Sequence, residues 1–195
     1  MSLVLRNLTK RFGDKIILEN ANLAFSDTGA YHIIGESGIG KTTLLNMIAG
    51  LDTDYEGEIF GGGKECVSYV FQEYRLFDTA SALENSLISF KSPTDTDIER
   101  AKEYFRRLGF TDAEMHLKTR QLSGGMKQRV AIVRALMKDS PIYLFDEPTK
   151  ELHSELIIKF YRILDELKND KLILLVSHEN VPETFKKIDV FSNNK

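Results

Sequence analysis

One eight-residue run constrains this chain more than any other: Gly35-Glu36-Ser37-Gly38-Ile39-Gly40-Lys41-Thr42. It fits the pattern G-x-x-x-x-G-K-[ST], in which glycines let the backbone curl until consecutive N–H groups converge on one anion. Before it lies a short apolar run, Ala30–Ile34, of strand type. After it, Lys41–Ala49 has helical spacing and is stopped by Gly50. A strand feeding a helix through such a turn aims the positive end of the helix dipole at the same anion. In that setting Lys41 supplies a point charge for the β- and γ-phosphates, and the Thr42 hydroxyl is a hard oxygen ligand for Mg²⁺.

The rest of the pattern says what surrounds that turn. Leu3–Leu8 and Ile16–Phe25 alternate partially about Phe12-Gly13-Asp14, which predicts a hairpin. Gly57–Phe60 and Val67–Phe71 read as two further strands, and Ile142–Phe145 and Leu172–Val176 as wholly apolar ones. Helical spacing with charged outer faces marks Ser81–Phe90, Thr96–Leu108 and Lys127–Lys138, and Glu155–Lys168 is a long amphipathic helix. Leu156, Ile157, Phe160, Ile163, Leu164 and Leu167 fall at core spacing along it. Apolar strands alternating with helices imply a parallel sheet covered on both faces. The expected class is α/β: a mixed, mainly parallel sheet around the phosphate turn, with a small antiparallel β lobe and an inserted helical subdomain. One domain is expected over 1–195, with a core of about 1–72 and 135–195 and the helical insertion at about 73–134.

Two further segments carry chemistry. Ile142-Tyr143-Leu144-Phe145-Asp146-Glu147 is an apolar strand ending in two carboxylates. It would bring Asp146 to the sheet rim beside the phosphate turn, where it can hold Mg²⁺. Glu147, displaced by one residue, can polarise an attacking water. Leu122-Ser123-Gly124-Gly125-Met126-Lys127-Gln128-Arg129 precedes a helix, with Ser123 a natural N-cap and two glycines baring the backbone N–H groups. One γ-phosphate needs only one such loop of the first kind. The second is therefore either a plain capped helix or a surface offered to another subunit's nucleotide.

Composition removes several classes. The formal net charge of −3 provides no basic field, and nucleic acid is not expected as a partner. The single cysteine, Cys66, excludes an intrachain disulfide and fits a reducing compartment. There is no Cys/His cluster of zinc spacing. Charge at Arg6 and Lys10 is incompatible with a signal-peptide h-region, and no apolar run is long enough to span a bilayer. His32, on an apolar strand, is expected to be structural and His116, between charged neighbours, solvated.

Together these segments resemble the ABC ATPase family over nearly the whole chain, Leu3 to about Val190. Leu122–Gln128 looks like that family's signature motif, departing from its commonest form at Met126. Gln72 in Tyr69-Val70-Phe71-Gln72 looks like the Q-loop glutamine, His178 in Val176-Ser177-His178-Glu179 like the switch histidine, and Phe12 like the aromatic that stacks on adenine. The resemblance implies an ATPase using Mg²⁺ and working as a head-to-tail pair, homo- or heterodimeric. Each ATP would lie between one subunit's Gly35–Thr42 and Thr43 and the other's Ser123, Gly124, Gly125 and Met126. It further implies that Glu147 is the general base, that His178 contacts the γ-phosphate, and that Gln72 senses Mg²⁺ or the lytic water, with Thr42, Gln72 and Asp146 on the metal. By the same resemblance Glu73–Phe77, with Tyr74, Leu76 and Phe77 as anchors, is a socket for a helix of a membrane subunit or else a helix-packing loop. The cassette would then sit on the cytoplasmic face of the membrane through its partners, closest in look to the lipoprotein-release, macrolide and peptide-export branch. A soluble or regulatory cassette is the alternative.

The chain departs from the family at Pro148-Thr149-Lys150-Glu151-Leu152-His153, where Pro-Thr-Ser-Ala-Leu-Asp is usual. Two small residues become Lys150 and Glu151, and the acid becomes His153, in a segment that normally lines the dimer seam. Either coupling between sites is altered or these are solvated loop residues. The stretch from Gly57 to Gln72 is also shorter than usual, which would trim the β lobe near the adenine, and the C-terminus stops early.

Overall fold

The computed structural model describes residues 2–192, whose contacts group the chain into two compact units. The first holds the segments up to Tyr69, Ser140–Asp146, and Asp165 onward; the second holds Val70–Asp139 and Glu147–Leu164.

Two sheets build the first unit. Strand β1 (Val4–Phe12) turns at Gly13 into β2 (Lys15–Ala24), and β4 (Glu56–Phe60) pairs antiparallel with the other side of β1, giving the order β2-β1-β4. The second sheet runs β5-β6-β7-β3-β8: β5 Val67–Val70, β6 Ile142–Asp146, β7 Leu172–Val176, β3 Gly29–Ile34 and β8 Lys186–Asp189. The pairs β6–β7, β7–β3 and β3–β8 are parallel. Every residue of β6 and β7 is buried, the outcome expected when an unbroken apolar strand is covered on both faces. Helix α1 (Lys41–Ile48) puts Leu44, Leu45, Met47 and Ile48 into the core shared with Leu5, Leu18, Ile33, Leu144 and Leu174. Because β3 and β6 flank β7 in parallel, Ile34 and Asp146 end their strands on the same rim, where α/β sheets place their ligands.

The second unit is helical: α2 (Ala82–Ser86), α3 (Asp95–Arg107), α4 (Asp112–Met115), α5 (Gly124–Met137) and most of α6 (Ser154–Leu167). Three reciprocal capping boxes, Ser81 with Glu84, Thr94 with Asp97 and Thr111 with Glu114, satisfy the first N–H groups of α2, α3 and α4. Helices α2 and α3 both pack on α5.

Several elements differ from their sequence-based outlines. The helix expected over Ser81–Phe90 stops at Ser86: the Ser86 hydroxyl donates to Leu83 O, and the Phe90 N–H folds back to Leu87 O in a turn. Strand β8 and helix α4 have no counterpart in the periodicity, being short and largely polar. On α6 only Phe160, Ile163 and Leu164 of the six expected core positions are buried, joined by Tyr161; Leu156, Ile157 and Leu167 are half-buried.

Candidate nucleotide site and its supporting residues

In the first unit the Gly35–Thr42 turn leaves β3 and enters α1 directly. Gly40 is the N-cap of α1 at φ 124° and contributes no side-chain bond to the first turn. A Cβ there would collide with the Ile17 side chain, so the position is closed to other residues on both conformational and steric grounds. Gly35, Glu36, Ser37 and Gly38 are exposed, Ile39 and Gly40 half-buried. Lys41 is buried, and its ammonium donates to the carbonyls of Gly35 (2.8 Å) and Glu36 (2.9 Å), which pins the charge inside the turn. Thr42 Oγ1 donates to Asp146 Oδ2 at 2.7 Å, joining the start of α1 to the end of β6; Thr43 beside it is half-buried.

Asp146 is almost fully buried. Burial raises its carboxyl above the ordinary range, while the Thr42 bond and the Lys41 charge pull the other way. Such a carboxylate, held against a hydroxyl and a cation, is a hard donor set of the kind that takes Mg²⁺ with help from phosphate oxygens. Among the described residues no group of three His, Cys, Asp or Glu is placed to hold a metal ion.

Phe12 ends β1 and is 53% exposed. Below it is Lys10, buried and bonded to Asp52 Oδ1 (3.0 Å) and Asp54 Oδ2 (3.2 Å), with its ammonium 4.7 Å from the Phe12 ring centroid. Burial lowers the Lys10 pKa, but the two carboxylates outweigh it and raise the value. A fixed cation on an aromatic ring orients that ring, a role the sequence left unassigned.

His32 is buried, as a structural histidine should be, and its Nε2 lies 3.0 Å from the carbonyl of Ser177. That acceptor assigns the proton to Nε2. Burial depresses the imidazole pKa; the Ser177 bond opposes this, and the charges of Lys187, Lys41 and His178 add to it. The bond fixes the residue just before His178, whose side chain is exposed. Only a polar residue inside an apolar strand signalled it.

The second unit carries the other predicted residues. Gln72 is exposed, just beyond β5. The segment after it is held by Arg134 of α5, which donates to the carbonyls of Tyr74 (2.9 Å) and Arg75, and by the Arg75 guanidinium stacked 3.8 Å from the Phe71 ring centroid. Asn85 bonds both the N–H and the carbonyl of Phe77, and Thr119 Oγ1 donates to the same carbonyl. Tyr74 and Leu76 are half-buried, but Phe77 is 58% exposed. Arg134 and Asn85 escaped the sequence reading because a lone polar residue on a helix does not show whose backbone it serves.

Ser123 is the N-cap of α5, its hydroxyl accepting from Met126 N at 3.3 Å. Gly124 and Gly125 follow as the first helical residues. Glu147 is half-buried at φ 51°, a left-handed backbone that a long side chain rarely adopts and that turns the chain sharply after β6. Lys150, Glu151 and His153 are exposed around buried Thr149 and Leu152, yet the Glu151 carboxylate reaches Gly124. "Solvated loop" is therefore an incomplete description of that segment.

A glycine-rich turn between a parallel strand and a helix, closed by a buried acid bonded to the turn's threonine, defines a phosphate-loop nucleotide-binding protein. The family model described as ABC transporter matches residues 18–150. The chain is 32% identical over 186 residues to the xylose/arabinose import ATP-binding protein XacJ of Haloferax volcanii, covering 88% of this chain and 48% of that protein. It is 37% identical over 175 residues to the thiamine import ATP-binding protein ThiQ of Histophilus somni, covering 80% and 79%. A solved dimeric, post-hydrolysis structure of the ATP-binding cassette MJ0796, bound to ADP and Pi, superposes with a TM-score of 0.80 at 31% identity, covering 91% of this chain and 88% of that one. The chain thus belongs to the ABC transporter family, as an ATP-binding cassette. It spans about half the length of several of the curated relatives it matches. Among the described residues no helix is long and apolar enough to cross a membrane.

Proposed function

We propose that the chain binds Mg-ATP on Gly35–Thr43 and hydrolyses it as one of two facing cassettes, driving conformational change in separate membrane subunits. The observation that carries this reading is the Thr42–Asp146 hydrogen bond at the mouth of the phosphate turn, which sets two oxygen ligands side by side. Lys41 would exchange the turn's own carbonyls for β- and γ-phosphate oxygens, a stronger acceptor set. Thr42, Asp146 and Gln72 would hold the Mg²⁺, which neutralises charge developing on the phosphates. Glu147 orients and deprotonates the attacking water, and His178 contacts the γ-phosphate. Phe12, steadied by Lys10, stacks on the adenine.

The second glycine-rich helix start serves the opposite protomer. A single cassette leaves the γ-phosphate in water, whereas Ser123, Gly124, Gly125 and Met126 of a facing copy would add donors around the developing charge and exclude solvent. Dimeric MJ0796 supports this reading by likeness. On this reading Tyr74, Leu76 and Phe77 would form the docking surface for a membrane subunit, and the cassette would sit on the cytoplasmic face of the membrane.

The test is Glu147→Gln. Steady-state phosphate release should fall by about 10²–10⁴-fold, and the variant should sediment as a dimer with ATP and as a monomer with ADP. A variant that keeps its rate, or stays monomeric at saturating ATP, contradicts the proposal.

A further inference from the structure

The segment that departs from its family, Lys150–His153, sends one side chain back onto the start of α5. Glu151 lies flush against both signature glycines. A Cβ on Gly124 would strike Glu151 Oε2 and come within 3.1 Å of the Tyr74 hydroxyl, and a Cβ on Gly125 would sit 2.5 Å from the Glu151 carbonyl oxygen. Tyr74 also hydrogen-bonds the Glu151 carboxylate, and burial together with that negative charge raises its phenol pKa. Helix α5 has no acidic residue of its own in its first turn. The anion beside its positive end is therefore supplied by Glu151.

A carboxylate at a helix N-terminus is favourable for the free protomer. It is unfavourable once a second anion must approach the same two glycines, because like charges brought together at an interface repel. We propose that Glu151 and Tyr74 form an autoinhibitory latch: a tethered carboxylate that covers the anion-binding end of α5 and must swing aside before a facing protomer's γ-phosphate can be taken. The latch rests on the paired-cassette reading above. Its second half, Tyr74, lies two residues beyond Gln72 and within the surface offered to a membrane subunit. Docking there would draw the phenol from Glu151 and lower the ATP demand for pairing, so the latch ties partner engagement to ATP-driven closure.

The test uses the full chain carrying Glu147→Gln, with dimer formation followed by sedimentation velocity across an ATP series. Adding Glu151→Ala, or Glu151→Gln to remove the charge at nearly constant shape, should lower the ATP concentration for half-dimerisation by about three- to ten-fold. Tyr74→Phe, which frees the carboxylate to move, should shift it in the same direction by less. An unchanged or raised midpoint for both Glu151 variants, with the parent dimerising normally, overturns the latch and leaves the paired-cassette reading intact. A parent that does not dimerise at saturating ATP overturns that reading and the latch with it.

Discussion

At Asp146 burial and the proposed metal-binding role pull against each other in one side chain. Its carboxyl is held above the ordinary range by burial, so the folded chain binds this proton more tightly than the unfolded chain does. Its contribution therefore favours the fold at low pH and is lost as pH rises through the raised value; at neutral pH the ionised group is a cost. Asp146→Asn keeps an acceptor for Thr42 without the charge. It should raise the melting temperature of the nucleotide-free protein, by about 2–4 °C per kcal/mol relieved for a chain of this size, while abolishing Mg-dependent hydrolysis. A lower melting temperature would contradict this account of the site. His32 runs the other way. Its pKa is depressed, so the unfolded chain takes up the proton first and stability falls as pH drops from the ordinary histidine value through the lowered one. Glutamine can reproduce the bond to Ser177 without titrating. His32→Gln should flatten the pH dependence of urea midpoints over that window; an unchanged slope would show that another group is responsible. Thr42, Lys41 and Asp146 were legible in the sequence because motif spacing and flanking apolar runs agree on them. The contact of Glu151 with Gly124 was not, since it depends on the course of a turn that charge pattern does not encode.

Among the elements, those with long apolar or strongly periodic stretches follow from sequence: β6, β7, α3 and α5 lie within a few residues of their expected limits. Short polar pieces do not. Strand β8, Lys-Lys-Ile-Asp, is formed by pairing with β3 and carries little intrinsic β propensity. Helix α2 ends early because its Asn85 is engaged with the Phe77 backbone and Ser86 with Leu83, ties invisible to periodicity. The start of α5 is tighter still. Gly125 has no room for a methyl group, because a Cβ would press on the Glu151 carbonyl. Gly125→Ala should therefore destabilise the chain by about 1–3 kcal/mol in chemical denaturation, and should weaken ATP-dependent pairing further than Gly124→Ala, whose neighbour is the end of a movable side chain. Equal effects of the two substitutions would contradict the packing described at this helix start.

At the scale of the molecule, the predicted binding residues divide between two compact units. The phosphate turn, Asp146, Phe12 and His178 belong to the first; Gln72, Glu147 and the Ser123–Gly125 helix start belong to the second. The sequence announced both glycine-rich helix starts but left open whether the second merely caps a helix. Assigning it to a facing protomer is the central claim, and proximity between protomers tests it most directly. In a chain with Cys66 replaced by serine, cysteines at Ser37 and Ser123 would be treated with a short bifunctional maleimide. With Glu147→Gln and ATP, covalent dimers joining residue 37 of one protomer to residue 123 of the other should form in high yield, and with ADP they should not. Equally low yields with both nucleotides, from a protein whose Glu147 counterpart still hydrolyses Mg-ATP, would contradict it.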